Sequence, residues 1–254
     1  MIEKSYNKKF NINRRINYIL RWDKMKYEIL YEGAFPIVKC QLSRGERIKA
    51  ESDAMIGMSN TIDVTGGAEG GIVRGLTRML AGESFFFQYL TAARGDGEVL
   101  FGHPLPGGII DVELDGSYGL QVQKDGFLAA TEGVEVSTKA QNIVKGFFSG
   151  EGFFILNVTG RGTVFLSSYG SIHAINLEPG QEYIVDNGHL VAWADYMQYN
   201  IEKASNNGWF RSIASGECLV CRFRGPGIVL IQTRNPHGFD SWLCRLGFTK
   251  ANHN

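Results

Sequence analysis

The chain has 254 residues, with 26 Lys plus Arg balanced by 26 Asp plus Glu. Hydrophobic residues make up 44% and charged residues 20%, which excludes global disorder and supplies a large core. No window reaches the roughly 18 apolar residues of a spanning helix, and four cysteines are too few for a disulfide scaffold. Glycine is the outlier. Thirty-two of them, with 6 prolines and no collagen period, point to tight turns between short strands. With no cleavable secretory signal at the start, the expected setting is the reducing cytoplasm.

Residues 1–25 carry seven basic and two acidic side chains, a local charge of +5, so the remainder carries −5. Ile12, Ile16, Ile19 and Leu20 would form one apolar stripe if this stretch were helical. A basic amphipathic arm suits an anionic membrane or nucleic acid. Asparagines dilute its helix propensity, so we expect a poorly ordered N-terminal extension. Met25 would then be the natural start.

Beyond it, the pattern G-x-G-x-V occurs three times: Gly95 to Val99, Gly160 to Val164 and Gly225 to Val229, spaced by 65 residues each time. Upstream lie Gly82-Glu83, Gly150-Glu151 and Gly216-Glu217, each before a hydrophobic run. Earlier still, Ile37, Cys40, Leu42 and Gly45 match Ile109, Val112, Leu114 and Gly116, then Ile172, Ile175, Leu177 and Gly180. Asp53-Ala54, Asp125-Gly126 and Asn187-Gly188 follow. The last two are strong two-residue hairpin signals, because a type I′ turn needs positive φ at both positions. Gly66 to Gly71 reads as a flexible loop, and Ile72 to Leu80, Ile143 to Phe148 and Trp209 to Ile213 as short helical segments. Phe239 to Leu246 reads as a helix with Asp240 or Ser241 near its N-cap.

These patterns predict one all-β domain over 26–254, made of three fused units (about 26–101, 102–166 and 167–232) plus a C-terminal helix at 239–246. Units of ~65 residues are too long for solenoid coils. Closing them around a pseudo-threefold axis would remove most free sheet edges. The repeat glycines Gly95, Gly97, Gly160, Gly162, Gly225 and Gly227 are expected where φ is positive or backbones approach closely.

Met25 to Ile29, Gly75 to Phe86 and Gln232 to Pro236 resemble a widespread bacterial and archaeal family of uncharacterised proteins. That family is related to the fungal mitochondrial biogenesis (altered inheritance of mitochondria) protein. The resemblance covers residues 25–246. It implies three fused pseudo-threefold-related β-sandwich or β-roll units like the tryptophan RNA-binding attenuation protein, and it implies no catalytic residues.

Motifs that carry chemistry are weak. Cys218-Leu-Val-Cys221 has zinc or redox spacing, but it aligns with strand positions, where residues three apart point to opposite faces. Asp111, Glu113 and Asp115 imitate a calcium loop whose twelfth position, Val122, fails. Arg74 and Arg78 beside the glycine run form a candidate anion site. The five histidines are scattered. We therefore expect no catalytic residues, cofactor or metal. The leading expectation is a non-enzymatic binding or assembly module acting on itself or on a protein partner, with a membrane surface as a further target. A homo-oligomer is expected, a trimer among its closed forms. RNA or anion binding is the alternative, disfavoured for nucleic acid by the −5 core. An enzyme of unknown class is third.

Overall fold

The computed structural model describes residues 25–67, 87–138, 155–203 and 219–248. Strands dominate because apolar side chains recur every second residue over short runs, and a pleated chain sends them to one face. In chain order they are β1 (Lys26–Leu30), β2 (Ile37–Leu42), β3 (Arg47–Glu51), β4 (Met55–Met58), β5 (Asp63–Gly67), β6 (Phe87–Thr91), β7 (Gly97–Gly102), β8 (Ile109–Asp115) and β9 (Leu120–Gln123). There follow β10 (Phe127–Thr131), β11 (Val134–Thr138), β12 (Ile155–Ser167), β13 (Ile172–Leu177), β14 (Glu182–Asp186), β15 (Leu190–Ala194), β16 (Gln198–Lys203), β17 (Leu219–Arg224) and β18 (Gly227–Gln232). One helix, α1 (Pro236–Arg245), closes the described chain, so the expected all-β class holds.

One pairing pattern recurs along the chain. Val99 on β7 lies opposite Cys40 of β2 and Met58 of β4. Val164 on β12 lies opposite Val112 of β8 and Ala130 of β10, and Val229 on β18 opposite Ile175 of β13 and Trp193 of β15. The valine of each G-x-G-x-V therefore sits in a central strand with a partner on both sides. The third strand of each set carries a register shift at the same place: Met55/Gly57, Phe127/Ala129 and Leu190/Ala192. Opposing sheets are β3–β6–β5, then β9 and β11 on the first half of β12, then β14–β17–β16. Between the layers lie three apolar clusters, centred on Phe101 with Phe165, on Leu120 with Phe127, and on Trp193 with Phe223.

Strand pairing joins neighbouring sets twice. β3 pairs β10, and β9 pairs β15. Among the described residues β4 pairs only β7, and β14 only β17, so strand pairing does not complete the expected closure.

Three sequence readings need correction. Asp125-Gly126 and Asn187-Gly188 are not hairpin turns. They lie in 3-10 turns (Lys124–Gly126 and Asn187–His189) that carry the chain from one sheet to the other. Gln123 and Asp186 cap these turns through their side chains, accepting the amides of Asp125 and Gly188 at 3.0 and 2.8 Å, so positive φ is not needed. Gly66 and Gly67 continue β5 opposite Gln88 and Phe87 rather than opening a loop. Helix α1 starts earlier than expected, because Asn235 is its N-cap and accepts the His237 amide at 2.9 Å with Pro236 next in line. It ends where Gly247, at φ +79°, donates to the Cys244 carbonyl while Phe248 donates to Leu243. The other three helical readings and residues 1–24 lie outside the described residues.

Candidate functional site

The repeat glycines lie within β12 (Gly160 and Gly162), at the starts of β7 and β18 (Gly97 and Gly227), or just before those starts (Gly95 and Gly225). Gly160, Gly162 and Gly227 have positive φ of +95°, +151° and +152°, with Gly95 at the margin of that region at +159°. Gly97 does not. A Cβ there would lie 2.5 Å from Thr61 Oγ1, so close approach is its reason for being glycine. A Cβ on Gly225 would strike the Glu178 carbonyl.

The candidate metal and redox residues are committed elsewhere. Cys221 is buried on β17, where burial and the charge of Asp186 push its thiol up to about 12. Cys40 is likewise buried, its thiol pushed up by desolvation. Cys218 lies outside the described residues, as do Arg74 and Arg78. The acidic run lies on β8, where Tyr27 donates to Asp111 at 2.7 Å and Thr163 to Glu113 at 2.6 Å. Asp115 accepts from the amide and hydroxyl of Ser117. Among the described residues no three His, Cys, Asp or Glu side chains are placed to hold a metal ion.

Sequence reading missed a cluster of titratable groups where the first two strand sets meet. Glu51 ends β3, Asp53 lies in the following turn, Asp125 in the next set's turn, and His103 just after β7. Burial pushes the Glu51 carboxyl up to about 7, helped by the charges of Asp125 and Asp53 and opposed by Lys124. Burial pushes His103 down, and its Nδ1 accepts the Leu105 amide at 3.2 Å. Asp53 and His103 border a cleft of about 270 Å³ whose walls include Phe35, Ile37, Ile56 and Leu105. The only sequence signal for this cluster is a polar residue before each sheet-crossing turn: Glu51, Gln123 and Asp186.

Such a cluster can hold a proton. The raised Glu51 carboxyl has a stability consequence. A carboxyl raised in the folded state contributes fully below its ordinary value of 4.5 and loses that contribution as pH rises through about 7. Partial exposure screens the effect, so Glu51→Gln should gain about 1–2 kcal/mol relative to the parent between pH 5 and 8. His103 bends the parent curve the opposite way below its ordinary 6.5, so the difference between the two proteins isolates Glu51. Urea denaturation at both pH values checks this; a difference that does not change with pH would refute it.

The largest exposed apolar side chains on strands lie on open edges: Ile56 and Met58 on β4, Tyr183 and Ile184 on β14. Four of the described surface cations face carboxylates. Lys39 meets Glu98 at 2.8 Å, Arg47 meets Glu132 at 2.8 Å, Arg94 meets Asp63, and Arg222 lies between Glu182 and Glu202. No helix among the described residues is long and apolar enough to cross a membrane.

Comparison with known proteins places this arrangement. The family model described as Mitochondrial biogenesis AIM24 matches residues 27–234, nearly all of the described β structure. The chain belongs to the AIM24 family. An uncharacterised protein of Streptococcus pyogenes serotype M6 is 31% identical over 238 residues, covering 91% of this chain and 94% of that protein. The X-ray crystal structure of a Streptococcus pyogenes protein superposes with a TM-score of 0.73 at 30% identity, covering 88% of this chain and all of that one. The AIM24 match begins at Tyr27, so the basic segment of residues 1–25 lies outside it.

Proposed function

We propose that this AIM24 protein is a non-enzymatic binding or assembly module whose working surfaces are the open edges of its sheets. The observation that carries this reading is the apolar exposure of β4 and β14, which ordered strands rarely leave uncovered. Two further features support it. The described thiols on strands are buried and protonated, and the acids of β8 are held by Tyr27, Thr163 and Ser117. Nucleic acid is disfavoured, because Lys39, Arg47, Arg94 and Arg222 face carboxylates rather than forming a basic track. We read the three pairing sets as one unit repeated three times. A cytoplasmic setting suits the free buried thiols of Cys40 and Cys221.

A membrane surface is the second reading, favoured by the +5 charge of residues 1–25. Charge near an anionic surface contributes about 1 kcal/mol per basic residue and is screened within ~8 Å at physiological salt. Native mass spectrometry of the protein from its own cells, paired with vesicle flotation, tests both readings. The module reading expects protein-bound species, copies of itself included. The membrane reading expects flotation with anionic vesicles at low salt that disappears on deletion of residues 1–24 while the thermal midpoint holds. Recovery of single chains with neither protein nor vesicle bound overturns both.

A further inference from the structure

The two junctions between strand sets are built alike. At the first, Ala129, Ala130 and Thr131 of β10 face Ala50, Lys49 and Ile48 of β3. At the second, Ala192, Trp193 and Ala194 of β15 face Val122, Gln121 and Leu120 of β9. Each is antiparallel and begins just after the register shift. The residue skipped by the shift, Leu128 or Val191, is buried in the preceding set's core: Leu128 with Ile48 and Ala50, Val191 with Leu120 and Val122. The receiving strand is sealed too, as Lys49 and Gln121 are buried and Lys49 reaches the Val134 carbonyl across the first junction at 2.6 Å.

The chain holds the parts of one more such junction and does not assemble it. β4 has the same register shift, with Ile56 as the skipped residue, and pairs only β7 among the described residues. β14 has the place of β3 and β9, three residues before the next shifted strand, and pairs only β17 among them. Ile56 is 58% exposed where Leu128 and Val191 are buried, and Met58 is 41% exposed. Tyr183 and Ile184 on β14 are 46% and 48% exposed where Ile48, Lys49, Leu120 and Gln121 are buried.

We propose that a second copy of this chain completes the junction, with β14 of one copy pairing antiparallel to β4 of the next. By the register of the two internal junctions, Gly57 faces Val185, Met58 faces Ile184 and Ser59 faces Tyr183. Ile56 then enters the Trp193–Phe223 core of the neighbouring copy. The occupant follows from the chain's own design, since its β10 and β15 already dock on β3 and β9 in this register. The contact is head-to-tail, with different surfaces on its two sides, so repetition closes a ring or extends a filament. This rests on the assembly reading above and specifies its partner.

Light scattering on the full chain and two single variants tests it. The parent should show a mass above the 28.2 kDa of one chain. Ile56→Lys and Ile184→Lys should each shift the population to single chains with unchanged circular dichroism, because both sites are exposed in the isolated chain. Each variant keeps one intact edge, so mixing the two should give a 1:1 dimer that neither forms alone. A parent of one-chain mass at every concentration overturns the self-assembly, while a bound foreign protein in native mass spectrometry would leave the module reading standing. A parent oligomer unaffected by both variants overturns the assigned edges and leaves assembly itself intact. Variants that dissociate but fail to complement overturn the head-to-tail register.

Discussion

Truncating Trp193 to alanine should cost about 3–5 kcal/mol and lower the thermal midpoint by about 10 °C. The side chain is fully buried, at the meeting point of β15, β9 and β18. Its ring lies 5.0 Å from Tyr199 and 5.3 Å from Phe223, both edge-on. Such pairs contribute about 0.5–1.5 kcal/mol beyond the area they bury. Removal leaves a cavity bounded by strands from two sets, which cannot close without disturbing two ladders. Trp193→Phe keeps the edge contacts and should cost well under half as much. Thermal melts by circular dichroism and fluorescence check both; equal melting of the alanine variant and the parent would show that the core relaxes freely around this site.

Valine at Gly162 should cost about 2–4 kcal/mol through two separate effects. At φ +151° a β-branched residue is strained whatever space surrounds it. Space is missing as well, because the new Cβ would collide with Thr131 Oγ1 and come within 3.1 Å of Val134 Cγ2. Thr131 cannot simply turn away: its hydroxyl accepts the Thr163 amide at 3.0 Å, and losing that bond leaves a part-buried donor unpaired. Gly97→Val meets only the crowding effect and should be milder. A chemical-denaturation midpoint for Gly162→Val equal to that of the parent would remove the strain argument.

These two sites show how far the sequence was legible. The G-x-G-x-V spacing located three central strands because their valines must pack on both sides, and that demand writes itself into residue type. Gly45, Gly116 and Gly180, which end the three matched runs, were legible for a similar reason, since each adopts positive φ, of +91°, +84° and +83°. Asp125-Gly126 misled because a dipeptide reports local turn preference, whereas the Gln123 side chain and the sheet crossing decided the conformation. Glu51 and His103 were not legible, as the two come together only after β3, β7 and the Lys124–Gly126 turn have converged. The contrast between Ile56 and Leu128 was also hidden: both are apolar residues in similar strands, and only pairing reveals that one is sealed and the other bare.

Strand β12 runs 13 residues without interruption, whereas the corresponding stretch is divided between β6 and β7 and between β17 and β18. Its first half lies between β9 and β11, its second between β8 and β10. Val158 is flanked by Leu120 and Val136, and Val164 by Val112 and Ala130. Neither half can leave its place without breaking a ladder on each side, and each half anchors the other through a continuous backbone. Brief openings of the native state are therefore expected first in strands with one described partner, such as β1, β5 and β16. The amide protons of the buried halves of β12, around Val158 and Val164, are expected to exchange with solvent only when the whole molecule comes apart, which makes this single segment a reporter of global rather than local stability.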